Sequence, residues 1–148
     1  MPLVQFSDRD LLRGKPIEPA WYRVHLDSID GEGELSKDKK STNYNVEGTI
    51  LFNGDNGDPT YKGYPISWNF NSKAMGFTKE LFIAFGLELN SKERYRLEAL
   101  AGKDIDVYVE NDTWQGRITN KVNHKYRPIK PDVTEGSGPP AEPEPQVT

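Results

Sequence analysis

The sequence of 148 residues contains no cysteine and only two histidines, His25 and His124. A chain without cysteine forms neither a disulfide nor a thiolate metal site, and it is typical of a reducing intracellular setting. The two histidines lie far apart, without the HxH or HxxxH spacing that favours a metal site. The sequence therefore predicts no metal and no cofactor, and it excludes catalysis by a cysteine nucleophile.

Long apolar runs are also lacking. No stretch approaches the roughly 20 apolar residues of a membrane span, and the first residues, MPLVQFSDRDLLRGKP, lack the apolar core of a signal peptide. We expect a cytoplasmic protein. The chain has no GxxxxGK[ST] phosphate loop and no GxSxG nucleophile elbow. No cluster of metal-binding acids ends a predicted strand, which disfavours a nuclease. We expect that the protein is not an enzyme.

Composition divides the chain into three parts. Residues 131–148, PDVTEGSGPPAEPEPQVT, are rich in proline, glycine and glutamate and offer only two valines to a core. Such a composition predicts a disordered acidic tail. Residues 1–20 are predicted to form an N-terminal arm, in which Leu11, Leu12 and Ile17 hold the arm to the edge of the folded domain. Residues 21–130 are the predicted domain.

Most of this domain has the two-residue period of half-buried strands. In residues 21–29, Tyr22, Val24 and Leu26 alternate with polar side chains and predict an inward face. The same alternation predicts strands at 46–52, 64–70 and 104–109. A turn at 110–112 and a fifth strand from 114 onward complete the set.

Between the third and fourth strands the period becomes helical. Asn71 or Ser72 is a suitable N-cap for a helix that ends near Gly86, and Ser91 is a suitable N-cap for a second helix through Leu100. Three strands, one or two helices and two strands predict a mainly β fold, a five-stranded OB-like barrel with the helices between strands 3 and 4. An open sheet backed by the helices is the alternative.

The formal net charge of −4 is unevenly distributed. Residues 61–130 carry 12 lysines and arginines against 8 acids, whereas residues 131–148 carry 4 acids and no base. The stretch 117–130 contains five cations and no carboxylate. The acidic total therefore conceals a local basic strip, which is a feature of nucleic-acid-binding surfaces.

Cations and aromatic side chains on the outward faces of the first and last strands suggest a groove for single strands, where cations contact phosphates and rings stack on bases. A basic strand face is equally typical of a solubilising surface. Tyr64, Trp68 and Phe70 are in phase with Ile66, which favours the core over base stacking. The nucleic-acid-binding candidates are Trp21, Arg23, His25, Lys73, Tyr108, Arg117, Lys121, Lys125, Tyr126 and Arg127.

An ordered set of features over about residues 10–130 resembles the small phage-encoded single-stranded DNA-binding proteins, including a phage family long described only as a domain of unknown function. These features are EPAWYRVHLDSID, a lysine-rich loop before strand two, YKG before strand three, an Asn/Ser/Lys-headed helix, GK before strand four, and a last strand with the pattern N.V..Y.P. The resemblance implies an OB fold and a role in phage DNA replication or recombination, hence in the host cytoplasm. The chain ends in PQVT, without the acidic-Pro-Phe tip of the best-known bacterial proteins.

Two functions follow as hypotheses. The first is sequence-independent binding of single-stranded DNA, in which the acidic tail competes with DNA for the groove or recruits phage or host replication proteins; a plain solubilising tail is the alternative. The second is a phage structural or host-protein-interaction module without nucleic-acid binding, which uses the acidic loop at 30–43 and the arm. The first predicts affinity for oligonucleotides, and the second predicts none.

Overall fold

The computed structural model describes residues 3–30, 34–35, 42–71 and 75–137. Within them, strands account for most of the regular structure, which confirms the mainly β prediction. The elements are α1 (Asp8–Leu12), β1 (Ala20–Ile29), β2 (Glu34–Leu35), β3 (Thr42–Asn53), β4 (Pro65–Asn71), α2 (Met75–Ala84), a 3-10 turn (Leu97–Leu100), β5 (Asp104–Trp114) and β6 (Arg117–Arg127).

The five long strands form one antiparallel sheet around β1. Strand β1 pairs with β3 on one side and β5 on the other, β4 pairs with β3, and β6 pairs with β5. The order β4-β3-β1-β5-β6 brings the two outer strands β4 and β6 together, and α2 lies between the third and fourth long strands in sequence. This is the OB arrangement, so the predicted five-stranded, nearly closed barrel is confirmed.

The barrel interior contains the side chains that the alternation predicts. Val24 and Leu26 of β1 are completely buried, and Trp68 and Phe70 of β4 are buried as well. The gap between β4 and β6 is filled by side chains, with the Phe70 ring 6.2 Å from that of Tyr126. Aromatic packing therefore closes the barrel where the described residues show no backbone ladder.

The last hairpin turns later than the sequence pattern suggests. The predicted turn at 110–112 is wrong, because Asn111 and Asp112 remain in the ladder opposite Asn120 and Thr119. The chain reverses at Gln115 and Gly116, whose φ angles of 49° and 76° are those of a two-residue I′-type turn. Trp114 accordingly ends β5 and does not begin the fifth strand.

The second predicted helix shrinks to the 3-10 turn Leu97–Leu100. The residues before it are fixed by side-chain contacts, since the Tyr95 hydroxyl accepts a hydrogen bond from the Asn90 backbone N–H at 2.9 Å. Asn90 also accepts from the Lys92 N–H at 2.8 Å. These local hydrogen bonds compete with helix formation at the predicted N-terminus.

Polar contacts and one buried isoleucine attach the arm to the barrel. In α1, capped reciprocally by Ser7 and Asp10, Arg9 donates to Thr49 at 2.6 Å and to Asp27 at 3.2 Å. Ile17 is buried, as the sequence suggests, whereas the side chain of Leu11 is 55% exposed. A polar anchor thus replaces the predicted contact of Leu11, whereas Leu12 is half-buried.

Residues 128–137, here called the C-terminal segment, pack on the outside of the barrel. Val133 is 2% exposed, and the Gly136 N–H donates to the Gly57 carbonyl at 2.8 Å. The first seven residues of the predicted tail therefore belong to the packed structure, and residues 138–148 lie outside the described residues. Among the helices described, none is long and apolar enough to cross a membrane.

Candidate nucleic-acid interface

Four of the predicted site residues meet on the outer face of β1, β5 and β6. Trp21 and Tyr108 are register partners, and their rings pack edge to face with centroids 5.5 Å apart. The guanidinium of Arg127 lies 4.4 Å from the centre of the Trp21 ring, and the ammonium of Lys125 lies 5.4 Å from that of Tyr108. We call these four residues the aromatic–cation cluster. Both rings are half-buried, so each retains an accessible portion.

Both lysines of β6 have carboxylate neighbours across the strand pair. Lys125 contacts Glu110 at 3.0 Å, and Lys121 contacts Asp112 at 3.8 Å. Both lysine side chains remain more than half exposed, so water and salt screen these pairs. The strip is therefore partly neutralised, but its lysines are free to exchange a carboxylate for a phosphate.

Arg127 and Lys130 share a third carboxylate, Asp55, at 2.6 Å and 3.2 Å. Burial alone would raise the pKa of Asp55. The hydrogen bonds from these two cations outweigh it, so the pKa of Asp55 lies below its usual value. Asp55 therefore stays ionised at neutral pH and holds the β3–β4 loop against the end of β6.

Arg23 does not belong to the surface, and its prediction as a DNA contact is corrected. Its Nε donates to Asp106 at 2.8 Å, and its two terminal nitrogens donate to the carbonyls of Val133 and Lys130 at 3.0 and 3.1 Å. The side chain is 7% exposed and that of Asp106 is 0% exposed. The strand period correctly places Arg23 on the outer face, but the C-terminal segment covers it there.

Tyr126 is also corrected. It is the register partner of the completely buried Val107 and packs against Trp68 and Phe70, so it faces the interior. Tyr126 is four residues after the buried Val122, so the two-residue period itself places both side chains on the inward face. The ladder between them contains a bulge, because β6 has three residues between Val122 and Tyr126, where β5 has only Tyr108 between Val109 and Val107. His124, at φ 54°, lies in the bulge. Burial lowers the pKa of His124, whose Nδ1 is 3.0 Å from the Tyr126 hydroxyl.

The remaining candidates are dispersed. The Nδ1 atom of His25 lies 2.7 Å from an Asp104 carboxylate oxygen. His25 is two residues after Arg23 in β1. Arg117 is exposed beside the β5–β6 turn and has no ion pair among the residues that the structure describes. Lys73 lies outside the described residues. The structure therefore gathers Trp21, Tyr108, Lys125 and Arg127, places Lys121 and Arg117 farther along the same strand, and separates the others.

The sequence interpretation did not predict that acids of β5 lie opposite the cations of the basic strip. Asp104, Asp106, Glu110 and Asp112 occupy alternate positions of β5, with Tyr108 between them. They point outward with the cations of β6, and a correct hairpin turn would have predicted the pairing of the two sets. The misplaced turn hid this relation.

A second outward surface lies on β3 and β4, the strands that bind ligands in many OB folds. Asn45 pairs with Asn69 and Asn43 with Asn71, and a cavity of about 470 Å³ opens beside them. The repeated motif N-aromatic-N at 43–45 and 69–71 is the sequence signal for this surface. The residues that line this cavity are amides, Ser28, Ile29 and Asp30, without an aromatic ring or a cation.

The described residues contain no group of three or more histidines and acids that could hold a metal ion. A scan against protein-family models and a search of curated proteins both find no match for this chain.

Proposed function

We propose that this protein binds single-stranded DNA without sequence preference, as expected for a protein of phage DNA replication or recombination. The observation that carries the proposal is the aromatic–cation cluster on the outer face of an OB-type barrel. Rings on such a face stack on bases of any identity, and neighbouring cations contact the phosphates. Trp21 and Tyr108 supply the rings, and Lys125 and Arg127 supply the charge.

The electrostatics support a modest ionic contribution. Outside the buried Arg23–Asp106 pair, the strip contains five cations, and three carboxylates face them. An excess of two positive charges corresponds to a slope of about −1.4 for the logarithm of affinity against the logarithm of salt concentration on single strands. Stacking on Trp21 and Tyr108 then provides a large part of the affinity.

The direct test is titration of fluorescent single- and double-stranded oligonucleotides at low and moderate salt. We expect preference for single strands, little dependence on base sequence and a shallow loss of affinity with salt. Binding that is weak and indifferent to strandedness at low salt would contradict the proposal.

Charge reversal locates the surface. Lys121→Glu together with Lys125→Glu places two negative charges on the strip and should weaken binding by at least about tenfold. The matched control is Lys92→Glu with Arg94→Glu, two exposed cations that precede the 3-10 turn Leu97–Leu100. If both double variants bind single-stranded DNA with equal affinity, DNA does not bind this face.

The second candidate function, a protein-interaction module, is favoured by the arm. Leu3, Val4 and Phe6 are 100%, 72% and 62% exposed, and contiguous exposed apolar side chains are typical of protein-binding segments. This function predicts no oligonucleotide binding. It also predicts a discrete partner that is lost when Val4→Ser and Phe6→Ser are combined.

A further inference from the structure

A cleft of about 480 Å³ lies beside α2, formed by elements outside the proposed DNA-binding face. Its lining includes Tyr44 near the start of β3, Phe82 of α2, and three residues from the chain that follows the helix, Leu89, Tyr95 and Leu97. The lining is predominantly aromatic and aliphatic. Such a lining is typical of sites that bind an apolar ligand or an extended peptide.

The aromatic side chains of this cleft are held in place. The rings of Phe82 and Tyr95 lie 5.7 Å apart at an angle of 53°. The Tyr95 hydroxyl is bonded to the Asn90 backbone N–H and lies 3.3 Å from a Glu93 carboxylate oxygen. Because ring packing holds Tyr95 and hydrogen bonds hold its hydroxyl, this side chain loses little entropy when a ligand binds.

The polar groups of the cleft indicate what its ligand offers. Thr78 lines it and is 6% exposed, and its hydroxyl oxygen is buried with no hydrogen-bond partner among the described residues. A ligand with backbone carbonyl groups would satisfy such a hydroxyl. Lys79 and Arg96 are exposed at the rim, with Glu98 as the single acid of the lining. The cleft therefore suits an acidic, apolar peptide.

The chain contains a peptide of this chemistry. Residues 139–145 read PPAEPEP, with Pro140 and Pro143 in the PxxP spacing and Glu142 and Glu144 between and after them. Proline-rich segments favour the polyproline II conformation and bind aromatic-lined grooves through proline rings and backbone carbonyls. The two glutamates match the two cations at the rim.

The short reach of this segment favours the cleft of a second molecule. Gly136 is bonded to Gly57, in the loop that follows β3, whereas Tyr44 is near the opposite end of that strand. Measured along the strand, Tyr44 and Asn53 are about 30 Å apart at roughly 3.3 Å per residue. Pro140 and Pro143 lie three and six residues beyond Ser137 and so reach only about 10 and 20 Å.

We propose that the α2 cleft binds the Pro-Glu segment 139–145 of a second copy of this chain, so that copies associate head to tail through their acidic tails. Because each copy offers one cleft and one tail, this contact is heterologous and extends into chains of copies. The proposal is independent of DNA binding, since it uses neither the aromatic–cation cluster nor the basic strip.

Sedimentation velocity of the full chain over a range of concentrations, at about 50 mM salt and without DNA, tests the association. We expect the wild-type protein to show concentration-dependent self-association. Lys79→Glu with Arg96→Glu, and separately Glu142→Lys with Glu144→Lys, should each weaken it roughly tenfold, because two exposed charge pairs become repulsive. All four substitutions in one chain should restore it, since the charges again match.

The control variant Lys92→Glu with Arg94→Glu changes two exposed cations that do not line the cleft and should associate like the wild type. Circular dichroism melts establish that each variant is folded. A wild-type protein that stays monomeric overturns the proposal, as does a fourfold variant that fails to regain association. Loss of association in Lys121→Glu with Lys125→Glu, but not in the cleft variants, would place the tail on the basic strip instead.

Discussion

Arg23 shows at the scale of one residue how an outward side chain becomes part of the interior. It connects β1 to Asp106 of β5 and to two carbonyls of the C-terminal segment, and its guanidinium lies 5.0 Å from the centre of the Phe52 ring. Asp106 in turn accepts from Arg127 at 3.2 Å. The Asp106 carboxylate therefore pairs with both Arg23 and Arg127, and its loss would leave both arginines without this partner.

Replacing Asp106 with asparagine should be strongly destabilising. The substitution removes the negative charge and leaves Arg23 buried without a counter-ion, a change that typically costs about 3–5 kcal/mol. Urea denaturation of the variant measures the loss as a lower midpoint. Asp112→Asn is the matched control, because its pair with Lys121 is 3.8 Å long and more than half exposed. It should change the free energy of unfolding by less than about 0.5 kcal/mol.

At the scale of elements, the C-terminal segment is fixed to the barrel through a glycine. Gly57 has φ 75°, a left-handed conformation that favours glycine, and a Cβ there would collide with the carbonyl oxygen of Thr134. The close approach lets the Gly136 N–H reach the Gly57 carbonyl. The loop between β3 and β4 is thus shaped to receive residues 134–137.

Gly57→Ala should therefore detach the C-terminal segment as well as strain the loop. Gly63→Ala is the control in the same loop, since its φ of 89° is similar but no atom lies within 4 Å of its Cβ position. The control should lose about 1–2 kcal/mol from backbone strain alone. Gly57→Ala should lose more and should accelerate amide exchange at Val133 and Gly136. Equal losses for the two variants would show that the contact with Thr134 contributes nothing.

At the scale of the whole molecule, the charge pattern of the β5–β6 hairpin controls how much positive potential the barrel presents. Each lysine of the strip in β6 faces an acid of β5, so DNA has to displace carboxylates that belong to the protein. Removing one of these acids should therefore strengthen DNA binding without a new contact being made.

Glu110→Gln is the most direct test, because Glu110 lies 3.0 Å from Lys125, a member of the aromatic–cation cluster. We expect the affinity for single strands to rise roughly threefold at low salt, the equivalent of one exposed ion pair, and the gain to vanish at high salt. Glu88→Gln, an exposed acid before the 3-10 turn, alters the net charge equally and is the control. An identical rise in the control would mean that net charge alone decides the affinity.

The alternating pattern in 21–29 and 64–70 was enough to predict which residues enter the core, because a strand has only two faces and one of them is apolar. The site was less accessible. Trp21 and Lys125 were correctly placed outward, but Tyr126 was assigned to the groove although it is in phase with the buried Val122, so this prediction departed from the two-residue period. The bulge at His124 adds two residues to β6 relative to β5, an even number, and therefore leaves the inward phase of Tyr126 unchanged.

The sequence by itself determined the succession of strands along the chain, the position of the helix between strands three and four, and the inward faces, since these depend on local periodicity. Only the tertiary structure decided which outward residues are exposed. The arm and the C-terminal segment reach the outer face from distant parts of the chain, and there they meet the acids of β5. Burial on this face depends on contacts between residues as far apart as Arg23 and Val133. The basic strip therefore exists in the sequence, whereas its partial neutralisation is a property of the folded chain.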